Sequence, residues 1–186
     1  FPWATSLIIQ AGVWKFIIDK DYGALNTLLM KLHIIASPVN WTPTPGAYFA
    51  WECFVGIFVT VPFVTFCVLS GLQSIDTAYY EAATVDGANY WQKLFKITLP
   101  LVRPSLTVST VLNIIYVFNS FPIIWTITKG DPASRTDTLV TYLYKLAFYK
   151  GKSGEAAAVS VIGFLILCAC ASVYMVISLK KEGQEE

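Results

Sequence analysis

Apolar residues do not alternate with polar ones along this chain; they gather into four long blocks separated by polar segments. The blocks are Phe1–Ile18, Tyr48–Leu72, Ser105–Thr128 and Ala156–Leu179. A bilayer-spanning helix needs about 20 apolar residues. At 1.5 Å per residue, a helix the length of the last block measures roughly 36 Å, enough to cross with tilt. The pattern therefore predicts an all-α, polytopic membrane helical bundle with about four transmembrane helices. The second block carries Glu52 and Pro62, and the fourth holds no charge. Pro62 cannot hydrogen-bond back to Phe58, which predicts a kink and an open carbonyl near mid-membrane. Glu52, about one turn inside the block, is expected to snorkel to the interface rather than line the entry.

Three polar segments connect the blocks. Asp19–Gly46 is a long loop in which Pro38, Pro43 and Pro45 forbid a regular helix. Asn40-Trp41-Thr42 within it is taken as a chance sequon. Lys129–Glu155 begins with the turn-rich "KGDPASRTDT". It continues with Leu139, Tyr142, Leu143, Leu146 and Tyr149 at helical spacing, a short amphipathic helix suited to a membrane surface.

The third connection, residues 73–104, holds more information. Asp76 can cap a helix starting near Thr77, with Glu81 in its N-terminal half. Gly87 can end that helix in the left-handed conformation. Ala88, Trp91 and Phe95 then share a face of a second short helix, and Pro100 and Pro104 straddle the entry to the third block. The small Ala82 and Ala83 would let another backbone approach closely. The product is a helix–turn–helix displayed at the membrane surface, shaped to dock into a partner's groove.

Composition narrows the chemistry. The chain has 186 residues, 55% of them apolar, with a formal net charge of +1, so no basic field points to nucleic acid. Cys53, Cys67, Cys168 and Cys170 lie inside apolar blocks, where cysteine acts as a small hydrophobe. His33 is the single histidine, which speaks against a histidine-based triad or metal site. No phosphate-cradling G-x-x-x-x-G-K-[ST] occurs. A catalytic function, a cofactor and a metal are thus not expected in this chain. The abrupt start at Phe1, without Met or a polar flank, suggests an N-terminally incomplete single transmembrane domain spanning residues 1–186.

Glu81-Ala82-Ala83, three residues, Gly87, nine residues and Ile97-Thr98-Leu99-Pro100 resemble the EAA signature of ABC importer permeases, with Asp86 before the glycine. The wider stretch from Gly71 to Leu106 is similar to the binding-protein-dependent permeases of the carbohydrate-import, maltose type. "DYGALNTLL", "TDTLVTYLYKLAF" and "GEAAAVSV" extend the resemblance over nearly the whole chain. "TKGDP" departs from it, with Asp131 where the family has a second glycine. The resemblance implies a six-helix permease core of which this is a part, in a bacterial or archaeal cell (inner) membrane. It implies a cytoplasmic ATPase dimer carrying ATP and magnesium, a second permease subunit, an extracytoplasmic substrate-binding protein, and a sugar or related polyol as cargo. Another small polar solute, such as a glycerol phosphate, is the alternative cargo. A secondary transporter is the alternative class, and it does not account for the loop.

On this reading Glu81, Ala82, Ala83, Asp86 and Gly87 couple the chain to the ATPase. Residues 73–104 are cytoplasmic, and Asp19–Gly46 and Lys129–Glu155 are external. Basic residues run against that orientation, since more of them fall in the external segments than in the internal ones. The motif decides it. Polar residues inside apolar blocks face a cavity or another helix. Asn113, Tyr116 and Ser120 fall at i, i+3 and i+7, with Asn119 to one side; Thr60 shares a face with Gly56 and Phe63; Gln10 sits midway along the first block. These residues are the candidates for a substrate path, with hydrogen bonding between packed helices as the alternative use of each.

Overall fold

The computed structural model describes residues 4–182, and those residues form helices joined by turns, with no strand among them. The helices are α1 (Leu7–Ile17), α2 (Ala24–Lys31), α3 (Pro45–Gln73), α4 (Thr77–Val85), α5 (Tyr90–Lys93), α6 (Leu99–Phe118), α7 (Phe121–Ile127), α8 (Leu139–Tyr144) and α9 (Ser153–Glu182). One π-helical turn, Leu94–Thr98, joins α5 to α6; another, Lys145–Tyr149, follows α8.

Three stretches are long and apolar enough to cross a membrane: Pro45–Gln73, Tyr90–Phe118 and Ser153–Ser178. Only 11% of the apolar window of the first is buried within the chain, so most of its surface is left for lipid or another subunit. The first apolar block behaves differently. Its described part is the 11-residue α1, about 17 Å long and short of a hydrocarbon core of roughly 30 Å. Phe1–Trp3 lie outside the described residues.

Two expectations about the third block need correction. Pro100 and Pro104 do not flank the membrane helix but lie within the helical run from Tyr90 to Phe118. The π turn ahead of Pro100 accounts for this: Leu99 N–H reaches back five residues to Leu94, and the widened turn makes room for the proline ring against the preceding carbonyls. The block is also not one helix. It stops at Phe118 and restarts as α7 with Pro122 in the first turn, where a missing N–H costs nothing. By contrast, α3 continues through Pro62.

The chain divides into two compact units, each drawing on the long helices. One comprises Phe1–Val59 and Val117–Ile166. Its core is Ala11, Val55, Val59, Ile123 and Ile127, with Leu7, Trp14 and Tyr48 packed against them. Trp14 stands edge-on to Phe54 at 5.0 Å and to Phe58 at 5.2 Å. The proline-rich loop after α2 is ordered by the buried Asn26. Its Nδ2 donates to the carbonyls of Lys20 (3.0 Å) and Val39 (2.8 Å), and its Oδ1 accepts from Val39 N (3.2 Å) and Trp41 Nε1 (3.0 Å). One amide thus replaces the hydrogen bonds a helix would have supplied.

The other unit comprises Thr60–Tyr116 and Leu167–Glu186. Within it α3 and α6 touch at Gly71, where a Cβ would lie 2.6 Å from Ser105 Oγ. Buried Thr107 and Ser178 join α6 to α9 through their hydroxyls.

Candidate functional site

The helix–turn–helix expected between the second and third blocks is present. Asp76 caps α4, its carboxylate accepting from Ala78 N at 2.9 Å. Gly87 has φ +73°, and no atom lies within 4 Å of the position a Cβ would take. Ala88 N–H donates to Ala83 O (2.9 Å) and Gly87 N–H to Thr84 O (3.0 Å). This is the Schellman pattern, which satisfies the last carbonyls of the helix and turns the chain. Asn89 then begins α5 in a capping box with Gln92, at 2.8 Å and 2.9 Å in the two directions. The N-x-x-Q spacing was a readable signal that sequence reasoning passed over.

No residue of α4 is buried. Glu81, Ala82, Asp86 and Gly87 are exposed, and Ala83 is half-buried. Apolar side chains are exposed beside them: Val85 at 88% and Tyr79 at 57% on the first arm, Trp91 and Phe95 stacked 6.0 Å apart on the second. Exposed apolar surface on a short, rigid element fits a docking surface.

The substrate-path candidates are distributed over both units. Gln10 is buried in the first and donates to Thr5 Oγ1 at 2.6 Å. Asn119 and Ser120 belong to the same unit and occupy the break between α6 and α7. Ser120 therefore does not continue the helical face of Asn113 and Tyr116. In the second unit, Asn113 is half-buried, with its Nδ2 bonded to Ser109 O at 2.8 Å; Tyr116 is exposed and Thr60 half-buried.

Glu52 does not snorkel. It is 4% exposed, and its Oε1 accepts from Thr128 Oγ1 at 2.7 Å. Thr128 is in turn 2.9 Å from Thr136 Oγ1, while Oε2 is buried without a partner among the described residues. The threonines that draw it inward lie too far along the chain for local pattern to show.

In the same unit a cavity of about 610 Å³ is lined by Lys15, Asp19, Lys20, Asn40, Thr42 and Asp131, among others. None of the substrate-path candidates lines it. Among the described residues no group of His, Cys, Asp or Glu is placed to hold a metal ion.

The sequence matches the family described as binding-protein-dependent transport system inner membrane component over residues 3–181. It is 48% identical to a protein of Brucella suis biovar 1 named as a probable ABC transporter permease, over 97% of this chain and 63% of that one. It is 36% identical to the trehalose/maltose transport system permease protein MalF of Thermococcus litoralis, over 94% of this chain and 58% of that one. Against the diacetylchitobiose uptake system permease protein DasB of Streptomyces coelicolor it is 31% identical, over 98% and 56%. The chain thus spans about three-fifths of the length of these relatives. Among solved structures, a chain of a bacterial alginate ABC transporter in complex with an alginate pentasaccharide-bound periplasmic protein shares the fold. The TM-score is 0.84 at 24% identity, covering 98% of this chain and 63% of that one.

Proposed function

Because the chain belongs to the family of binding-protein-dependent transport system inner membrane components, we propose that it is part of the permease subunit of an ATP-driven importer. The permease is a multi-pass protein of a bacterial or archaeal cell (inner) membrane, and its cargo is a sugar or related polyol. The observation that carries the reading is the hairpin 76–98: a capped helix with no buried residue, ended by a left-handed glycine and edged with exposed Tyr79, Val85, Trp91 and Phe95. Such a surface calls for a partner, and a cytoplasmic ATPase subunit fits, with Glu81, Ala82, Ala83, Asp86 and Gly87 at the contact. Closure of two ATPases around ATP and magnesium moves α4, and the permease pair alternates between inward- and outward-facing states. Cargo arrives on an extracytoplasmic binding protein.

The carbohydrate assignment draws on the relatives named for trehalose/maltose and diacetylchitobiose. The cavity supports it: Lys15 and Lys20 are balanced by Asp19 and Asp131, and Asn40 and Thr42 add amide and hydroxyl groups. That mixture suits neutral hydroxyls better than an anion. The test is purification of the full-length protein from its native membrane under mild detergent. An ATPase pair and a second permease should accompany it, and vesicles holding the complex should accumulate trehalose, maltose or diacetylchitobiose when ATP and binding protein are supplied. Recovery of the protein alone, with uptake indifferent to ATP, would favour a secondary transporter instead.

A further inference from the structure

Four residues of the hairpin form a closed circuit that no capping motif requires. Thr84 Oγ1 donates to Tyr80 O at 2.6 Å and accepts from Lys93 Nζ at 2.8 Å. Thr98 Oγ1 donates to Lys93 O at 3.3 Å and lies 3.0 Å from Tyr80 OH. A hydroxyl has one proton. With that of Thr98 given to Lys93 O, Tyr80 OH is the donor to Thr98. The circuit thus runs Tyr80 to Thr98, Thr98 to Lys93, Lys93 to Thr84 and Thr84 back to Tyr80. It crosses between the arms twice, at Tyr80–Thr98 and at Thr84–Lys93. Its Thr98 link falls in the π turn, where Thr98 Oγ1 meets a carbonyl of the widened backbone.

We infer that Tyr80, Thr84, Lys93 and Thr98 are positioning residues that clamp α4 to the π turn, so that displacement of α4 is delivered to α6 as rigid-body motion. The inference rests on the coupling role proposed above. Two arms joined only by the Gly87 turn could fold toward each other when α4 is pushed. Two cross-links at separate heights remove that freedom. The helix from Tyr90 to Phe118 continues into the membrane-length segment, so a clamped hairpin makes α6 the lever. Tyr80 and Lys93 are half-buried and their polar ends turn toward the opposite arm, which leaves Glu81 and Val85 for the partner.

The test uses the full-length permease assembled with its ATPases, with Cys53, Cys67, Cys168 and Cys170 replaced. Spin labels at Ala78→Cys and Tyr90→Cys report the separation of the arms. In a second preparation, a cysteine at exposed Ile115 on α6 reports ATP-driven motion through its reactivity toward a maleimide. Thr98→Val with Lys93→Met opens both links and leaves the α4 surface unchanged. The inter-arm distance distribution should broaden, and the ATP-dependent change at position 115 should shrink roughly threefold or more, the scale of losing one neutral hydrogen bond, with the bond from the charged Lys93 adding to it. ATP hydrolysis should stay within about twofold of the parent, because contact with the ATPase is kept. Thr98→Ser alone, which keeps the hydroxyl and leaves Lys93 in place, should match the parent in both readouts. A purely structural role would lower assembly and hydrolysis together. If the combined variant does not assemble, Tyr80→Phe carries the test with the ring retained. An unchanged distance distribution and an unchanged response at 115 overturn the clamp. Failure of the parent to bind any ATPase overturns the importer reading, and the distance measurement still decides the clamp.

Discussion

Gly87 projects its missing Cβ into open space, so its requirement is set by backbone angle alone. At φ +73° an ordinary side chain costs roughly 1–2 kcal/mol, and asparagine costs less. Substrate-stimulated ATP hydrolysis should therefore fall in the order Gly87, Gly87→Asn, Gly87→Ala, Gly87→Val, with membrane insertion unaffected. A flat series would remove the turn from the coupling path. Glu52 gives a second single-residue prediction. Its buried Oε1 accepts from Thr128, so Glu52→Gln, whose amide oxygen can do the same, should accumulate in membranes near the parent level. Glu52→Lys should lose about 3 kcal/mol or more and fail to accumulate, since it buries a longer, cationic side chain in place of the oxygen that holds Thr128. A snorkelling residue would tolerate lysine, so equal accumulation of the two variants would restore the interface placement. Glu52 was misread from sequence because its bond partner is 76 residues away. Asn26 was missed for a related reason: its bonds to Val39 and Trp41 exist only once the loop has closed.

Helix ends were the most legible elements, because the signals that set them lie within the segments they end. Asp76 before Thr77, and Gly87 after Asp86, needed no knowledge of the rest of the chain. The break at Phe118 was not legible: Asn119-Ser120 sits in an apolar run, and only Pro122 marks the restart. The π turn at Leu94–Thr98 was likewise hidden, since a widened turn has no composition of its own. At this scale, Asp76→Ala should cost about 0.5–2 kcal/mol, concentrated in the first turn of α4. Amide hydrogen exchange should quicken at residues 77–80 and stay unchanged in α9. Uniform quickening would mean that the cap supports more than its own helix.

For the whole molecule, hydropathy marked four blocks, of which the last three overlap the three membrane-length segments, and it left their orientation to the motif, against the distribution of basic residues. An impermeant thiol reagent decides the matter. In a background without native cysteines, Tyr90→Cys should react only from the cytoplasmic side and Ser134→Cys only from outside. The reverse pattern would place the hairpin out of reach of any cytoplasmic ATPase. Asn113 and Thr60 were picked for polarity within apolar blocks; the cavity of about 610 Å³ is a separate feature, lined by residues such as Asn40 and Asp131 that no apolar pattern singles out.

The contact at Gly71 binds two positions into one heritable unit. A methyl group there would sit 2.6 Å from Ser105 Oγ and 2.8 Å from its Cβ, too near for either helix to yield without sliding along the other. On the importer reading proposed above, a strain carrying Gly71→Ala should grow poorly on a sugar whose uptake depends on this permease. Selection for recovered growth should then return second-site suppressors at codon 105, Ser105→Gly foremost, so that the crossing of α3 and α6 can be mapped by genetics alone.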